Sequence, residues 1–251
     1  MKLGWRVYGF GVMALGIACL AFGDFDPSQQ VPAGFPARGV LWHLADWFMV
    51  VAGAAIQFRR TVKWAAGALT AYYTLIVVVL MNGAVVVGNY RVYGAYSDTA
   101  EELAIAAAGW IIYAECARRS AGVIRAGQVV FGVCAVLFGG AHFFYLNLTV
   151  PLVPKWLPPS ALFWAYATGI AHIAAGLAII SGIRARVAAE LLTLMYASFT
   201  PLVHLPMLIA NHTSFFEWTE NTLNVALMGC AWVVAESIGR RRVLTGRERS
   251  R

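Results

Sequence analysis

A chain of 251 residues that is 60% hydrophobic and only 12% charged, with a mean hydropathy of +0.68, is too apolar for a soluble domain. Its formal charge of +7 sits in short basic clusters between apolar runs, the pattern of cytoplasmic loops rather than of a nucleic-acid surface. The four cysteines, Cys19, Cys116, Cys134 and Cys230, form no C-x-x-C pair and no metal spacing, so neither a thiol-redox pair nor a bound metal is expected.

Eight apolar segments approach the roughly 20 residues that a spanning helix needs. They run over 5–23, 40–58, 63–84, 100–116, 125–146, 160–181, 186–210 and 219–238. The first follows Lys2 and Arg6 and reads as a spanning helix rather than a cleaved leader, because a counterpart recurs later in the chain. With eight spans, every Lys and Arg except Arg38, Arg91 and Lys155 falls on one side. The positive-inside rule makes that side cytoplasmic and puts both termini there. The outer connectors are then 24–39, 85–99, 147–159 and 211–218. The expected class is an all-α, multi-pass protein of the bacterial inner membrane, with the lipid bilayer as its surroundings and no nucleic-acid partner.

An internal repeat divides the chain. YGFGVMALGIACLAFGDFD (8–26) aligns with VVFGVCAVLFGGAHFFYLN (129–147), and VVAGAAIQF (50–58) with IAAGLAIIS (173–181). WAAGALTAYYTL (64–75) aligns with VAAELLTLMYAS (187–198). The expected organisation is two parallel four-helix halves, 1–120 and 121–239, followed by a basic cytoplasmic tail, 240–251.

The second half carries Phe131-Gly132 in its first helix, His142-Phe143 near the helix end, Val153-Pro154-Lys155-Trp156-Leu157-Pro158 in the next connector, and Ala175-Gly176-Leu177 beyond. In these motifs it resembles the DoxX-like family of small four-helix membrane proteins. The first half has lost much of the loop pattern, and His172 stands where the family has an acidic residue. The resemblance implies a membrane subunit or small-molecule site in a redox-linked complex, with a quinone or lipid as ligand and other membrane or redox subunits as partners. It implies no enzyme acting alone.

Ionisable groups within a bilayer are costly and mark candidate sites. His142, Tyr145, Trp156, His204 and Glu220 fall near the outer ends of their segments, and His172 nearer mid-span. An imidazole beside a carboxylate suits proton transfer or a quinone carbonyl. These six residues are the candidate ligand site, in an outward-facing pocket under the proline-rich connector. The expectation for His172 is a bond to a neighbouring helix. His43 and Asp46, three residues apart on one helix face, are a secondary candidate pair. Glu115 and Glu236 are expected to pair with Arg118, Arg119 or Arg240 within a turn of their own helix ends, and Glu190 with Arg186. Pro201 and Pro206 should free backbone carbonyls near His204. Rival readings are a transporter built on the two halves, or an assembly partner with no site of its own.

Overall fold

The computed structural model describes residues 1–248, with side chains as far as Ile238. Its long helices are α1 (Leu3–Phe22), α2 (Arg38–Ile56), α3 (Val62–Gly88), α4 (Tyr93–Cys116), α5 (Ala121–Phe144), α6 (Ala161–Ser181), α7 (Ala185–Ala210) and α8 (Phe215–Glu248). No strand occurs among the described residues. Six of the helices, α1 to α3 and α5 to α7, are long and apolar enough to cross a membrane. The chain is thus a helical, multi-pass membrane protein by length and composition. The backbone of α8 runs into the expected basic tail, whose side chains lie outside the described residues.

Helix ends follow local chemistry. Gly23 (φ 81) and Gly182 (φ 80) close α1 and α6 in the left-handed region, which costs glycine nothing. The Ser160 hydroxyl accepts the Phe163 amide at 3.1 Å and caps α6, as an N-cap serine does. The connector expected at 85–99 shrinks to residues 89–92, because α3 runs on to Gly88 and α4 begins at Tyr93. The early turns of α4 carry Asp98, Glu101 and Glu102, so they lack an apolar signature. Protein rather than lipid surrounds them: Ala95, Ser97, Ala100 and Glu102 are all buried.

Consecutive helices pack on one another, α1 also packs on α8, and the ring closes; α4 and α8 touch across its middle. Exchanging α1–α4 for α5–α8 carries each packing of the ring onto another and the α4–α8 contact onto itself. The glycines show the same register. A Cβ on Gly9 would strike the carbonyl oxygen of Gly53, and one on Gly176 the carbonyl oxygen of Gly132. Gly16 lies against the Asp46 carbonyl and Val50, and Gly139 against the Gly169 carbonyl and Ile173. In each case the second approach joins residues 123 positions further along the chain. Small residues let membrane helices approach this closely.

The α1–α8 seam is the tightest. A Cβ on Gly229 would meet the Tyr8 backbone, and one on Gly11 the Ala226 backbone. Backbone cannot rotate away as a side chain can, so Gly229→Ala should cost about 1–3 kcal/mol of stability. Thermal unfolding in detergent checks this; an unchanged midpoint would mean that the helices simply shift apart.

Lys2 Nζ pairs with the Glu115 carboxylate at 2.8 Å and donates to the Glu236 carbonyl at 3.2 Å. The start of α1, the end of α4 and the latter part of α8 therefore share one end. This corrects the expected pairing of Glu115 with Arg118 or Arg119: its ion pair reaches back to residue 2, whose long side chain spans from the start of α1 to the end of α4. Arg186 and Glu190 do pair, at 2.8 Å.

The first part of the connector between α1 and α2 turns inward, while residues 32–37 are exposed. Asp26, Ser28 and Gln29 are buried. Asn82 Nδ2 donates to the Ser28 carbonyl at 2.9 Å, and Asn82 Oδ1 accepts the Gln30 amide at 3.2 Å. Tyr72 donates to Gln29 Oε1 at 3.0 Å. Residues 26–29 form a plug held among α2, α3 and α4.

Candidate ligand cavity

In α7 the prolines act as the sequence implies. A π-helical turn, Thr200–His204, includes Pro201, which has no N–H to give. Asn224, on α8, donates through Nδ2 to the Tyr196 carbonyl at 3.0 Å and to Thr200 Oγ1 at 2.9 Å. A π turn would pair the Tyr196 carbonyl with residue 201, so the α8 amide supplies the bond that proline cannot. The break opens space beside it.

That space is a cavity of about 790 Å³, walled by α4 to α8 and roofed by residues of the connector after α5. Most of its lining is apolar, with Phe138, Phe199, Leu202, Leu223 and Leu227 prominent. His142, Tyr145, His172, His204 and Glu220 all line it, so five of the six candidate residues share one space. Trp156 does not. It is 70% exposed, while Pro154 and Leu157 on either side face the cavity. The tryptophan that lines it is Trp164, whose indole N–H donates to the Pro158 carbonyl at 2.8 Å and ties the roof to α6.

The imidazoles have defined roles. His172 is 2% exposed and its Nδ1 lies 2.9 Å from the Thr168 carbonyl. A carbonyl only accepts, so Nδ1 carries a proton and Nε2 is the free nitrogen of the neutral ring. The partner lies on its own helix, not a neighbouring one as expected. The neighbours supply rings instead: His142, Tyr196 and Phe138, with centroids at 5.2, 5.5 and 6.2 Å. His142 Nδ1 is 3.2 Å from the Ala165 carbonyl and also 3.2 Å from Thr168 Oγ1. His204 and Glu220 make no hydrogen bond or ion pair with a described residue. The Tyr196 hydroxyl is buried without a partner. His212 and Glu217 lie outside the lining.

The secondary pair is not formed. His43 is exposed, stacks on Trp42 at 3.4 Å and bonds the Gly39 carbonyl at 2.7 Å through Nδ1. Asp46 is fully buried, and neither carboxylate oxygen has a hydrogen-bond partner. The two positions straddle the edge of the buried stripe of α2, so one turns outward and the other inward.

Sequence reasoning missed Asp98 and Glu101, which bring α4 into the cavity wall. The pocket is therefore not a property of residues 121–239 alone. Behind the wall, Ser28 donates to Glu101 Oε2 at 3.0 Å and Gln30 Nε2 to Asp98 Oδ2 at 3.1 Å. The rule that flags intramembrane acids applied to Glu101 as much as to Glu220.

Residues 130–235 match a family model described as a domain of unknown function (DUF8561). No curated protein and no solved structure matches the chain.

Proposed function

We propose that the protein is an eight-span membrane protein, built from two parallel four-helix repeats, that binds a small, mostly apolar molecule with a polar head in the α4–α8 cavity. The carrying observation is a contrast between the halves. The plug, residues 26–29, bonds to Met49, Tyr72, Asn82 and Glu101. Counterparts of Met49 and Tyr72 at the glycine offset of 123 are His172 and Met195, and both line the cavity. The first half fills with its own chain only part of the equivalent space, and a smaller pocket of about 540 Å³ remains there, lined by Leu44, Phe48, Tyr72 and Ile76, the counterparts of Ala167, Ala171, Met195 and Phe199 in the larger cavity. In the glycine register Cys19, rather than Ala21 of the Phe-Gly-Val alignment, takes the place of His142.

Eight spans suit the helix lengths: the 24 residues of α4 rise about 36 Å, more than the roughly 30 Å hydrocarbon core. The basic clusters support a cytoplasmic end at Lys2 and Glu236, with the cavity roof on the other face. The DoxX-like reading adds the ligand classes, quinone or lipid, and redox subunits as partners.

Purified protein extracted into organic solvent should release a stoichiometric small molecule, and Ala167→Phe, which fills the cavity from α6, should release none. An empty extract from both proteins, together with no saturable binding of an added quinone or lipid, would overturn the reading. A transporter is the second reading, favoured by a wall that draws Gly94, Ser97, Asp98 and Glu101 from one half and the rest from the other. Uptake by proteoliposomes, lost with Ala167→Phe, separates it from a static binder.

A further inference from the structure

The charge of the cavity wall is one-sided. Its acidic residues are Asp98, Glu101 and Glu220, and no Lys or Arg is among the described residues that line it. Glu101 feels Glu220 more strongly than any other acid, and Asp26, Asp98 and Glu217 stand within electrostatic reach of Glu220. His142, His172, His204 and Tyr196 complete the titratable groups of the wall together with Tyr145. Two of the carboxylates are steadied from behind by Ser28 and Gln30, which are neutral and supply no counter-charge. Glu220 has no hydrogen-bond or ion-pair partner among the described residues.

The remaining polar groups give the same direction. With Nδ1 of His172 committed to a backbone carbonyl, the free Nε2 of its neutral ring is an acceptor. Tyr196 is 4% exposed, and its unpartnered hydroxyl is a second, independent sign of an occupant. Phe138, Tyr145, Trp164 and Phe199 offer aromatic faces, which attract a cation once water is excluded.

Resting on the reading of the cavity as a site for a small apolar molecule, we infer that the head of this molecule is positively charged. The ligand class is a lipophilic organic cation, a protonated amine or an onium ion, with its charge between Glu101 and Glu220 and its body along the aromatic wall. An anion would face three carboxylates without a compensating base. A bare metal ion fits no better: no group of three or more His, Cys, Asp or Glu among the described residues could hold one, and the lining is mainly apolar.

The test uses the full chain in nanodiscs and two largely apolar probes, the cation tetraphenylphosphonium and the neutral decylubiquinone. Saturable tetraphenylphosphonium binding is expected, lost with Ala167→Phe. Glu220→Gln should weaken it about tenfold or more, the scale on which removing a charge-assisted interaction from a dry site lowers affinity. Glu220→Asp should retain most of it, and gel filtration confirms that each variant is folded. If Glu220→Gln does not fold, Glu101→Gln carries the same expectation. Binding of decylubiquinone but not of the cation, or cation binding indifferent to removal of the carboxylates, overturns this inference and leaves the cavity reading standing. Binding of neither probe overturns the inference; if the organic extract is also empty, the cavity reading falls with it.

Discussion

Lys2→Met will destabilise the folded protein by about 3–5 kcal/mol, the cost of leaving a buried carboxylate without its cation. The Glu115 side chain is 4% exposed and that of Lys2 13%, so water screens the pair poorly. Lys2 also reaches the Glu236 carbonyl, and Glu236 Oε1 accepts the Gly4 amide at 3.4 Å. One ammonium thus joins the end of α4 and the latter part of α8 to the start of α1. The loss should be largely reversed in Lys2→Met/Glu115→Gln, because that pair leaves no unpaired charge. Unfolding midpoints of the two variants in detergent measure the difference. Equal losses would show that Lys2 acts through its contact with Trp5, 5.5 Å from its ring centroid, and not through the ion pair with Glu115.

Much of this fold was legible because lipid-facing helices must be apolar, and apolar runs are easy to read. The segments expected at 40–58, 160–181 and 186–210 became α2, α6 and α7 within two residues at each end. The start of α4 was not legible, since a helix wrapped in protein is free to carry Glu101 and Glu102. The candidate site was legible as far as depth along a helix goes: His142, His172, His204 and Glu220 sit where helix length and connector position put them. Facing direction was harder. Trp156 and Trp164 both belong at the roof end, and only the bond from Trp164 to the Pro158 carbonyl decides which turns inward. His43 and Asp46 differ by less than one turn, yet they fall on opposite sides of the buried boundary. The plug was invisible because DPSQQ reads as an ordinary polar loop. Nothing local signals that Ser28 and Gln29 are satisfied by three helices rather than by water.

The plug supplies the second large effect. Asp26 is 1% exposed; its Oδ1 accepts the Ser28 amide at 2.7 Å, while Oδ2 has no partner. Burial pushes its carboxyl from 3.8 up to about 6, against the lowering effect of the Ser28 bonds. The folded state therefore holds this proton more tightly than the unfolded chain. Below the unfolded value Asp26 imposes no ionisation cost; stability is lost as pH rises from there to about 6 and is level above it. A gap of that size corresponds to about 3 kcal/mol. Asp26→Asn keeps the oxygen that accepts from Ser28 and removes the charge, so it should raise stability by about that amount at neutral pH. It should also flatten the decline in the window. Asp46, Glu101, Glu102 and Glu220 titrate in both proteins, so the difference between the two pH profiles reports Asp26 together with its coupling to these acids. Parallel profiles from about pH 4 to 7 would show that Asp26 is not the group that titrates. An acid retained at such a cost is explained by position rather than by packing: Asp26 lies within electrostatic reach of Glu101 and Glu220, where it adds to the negative field at the wall of the cavity.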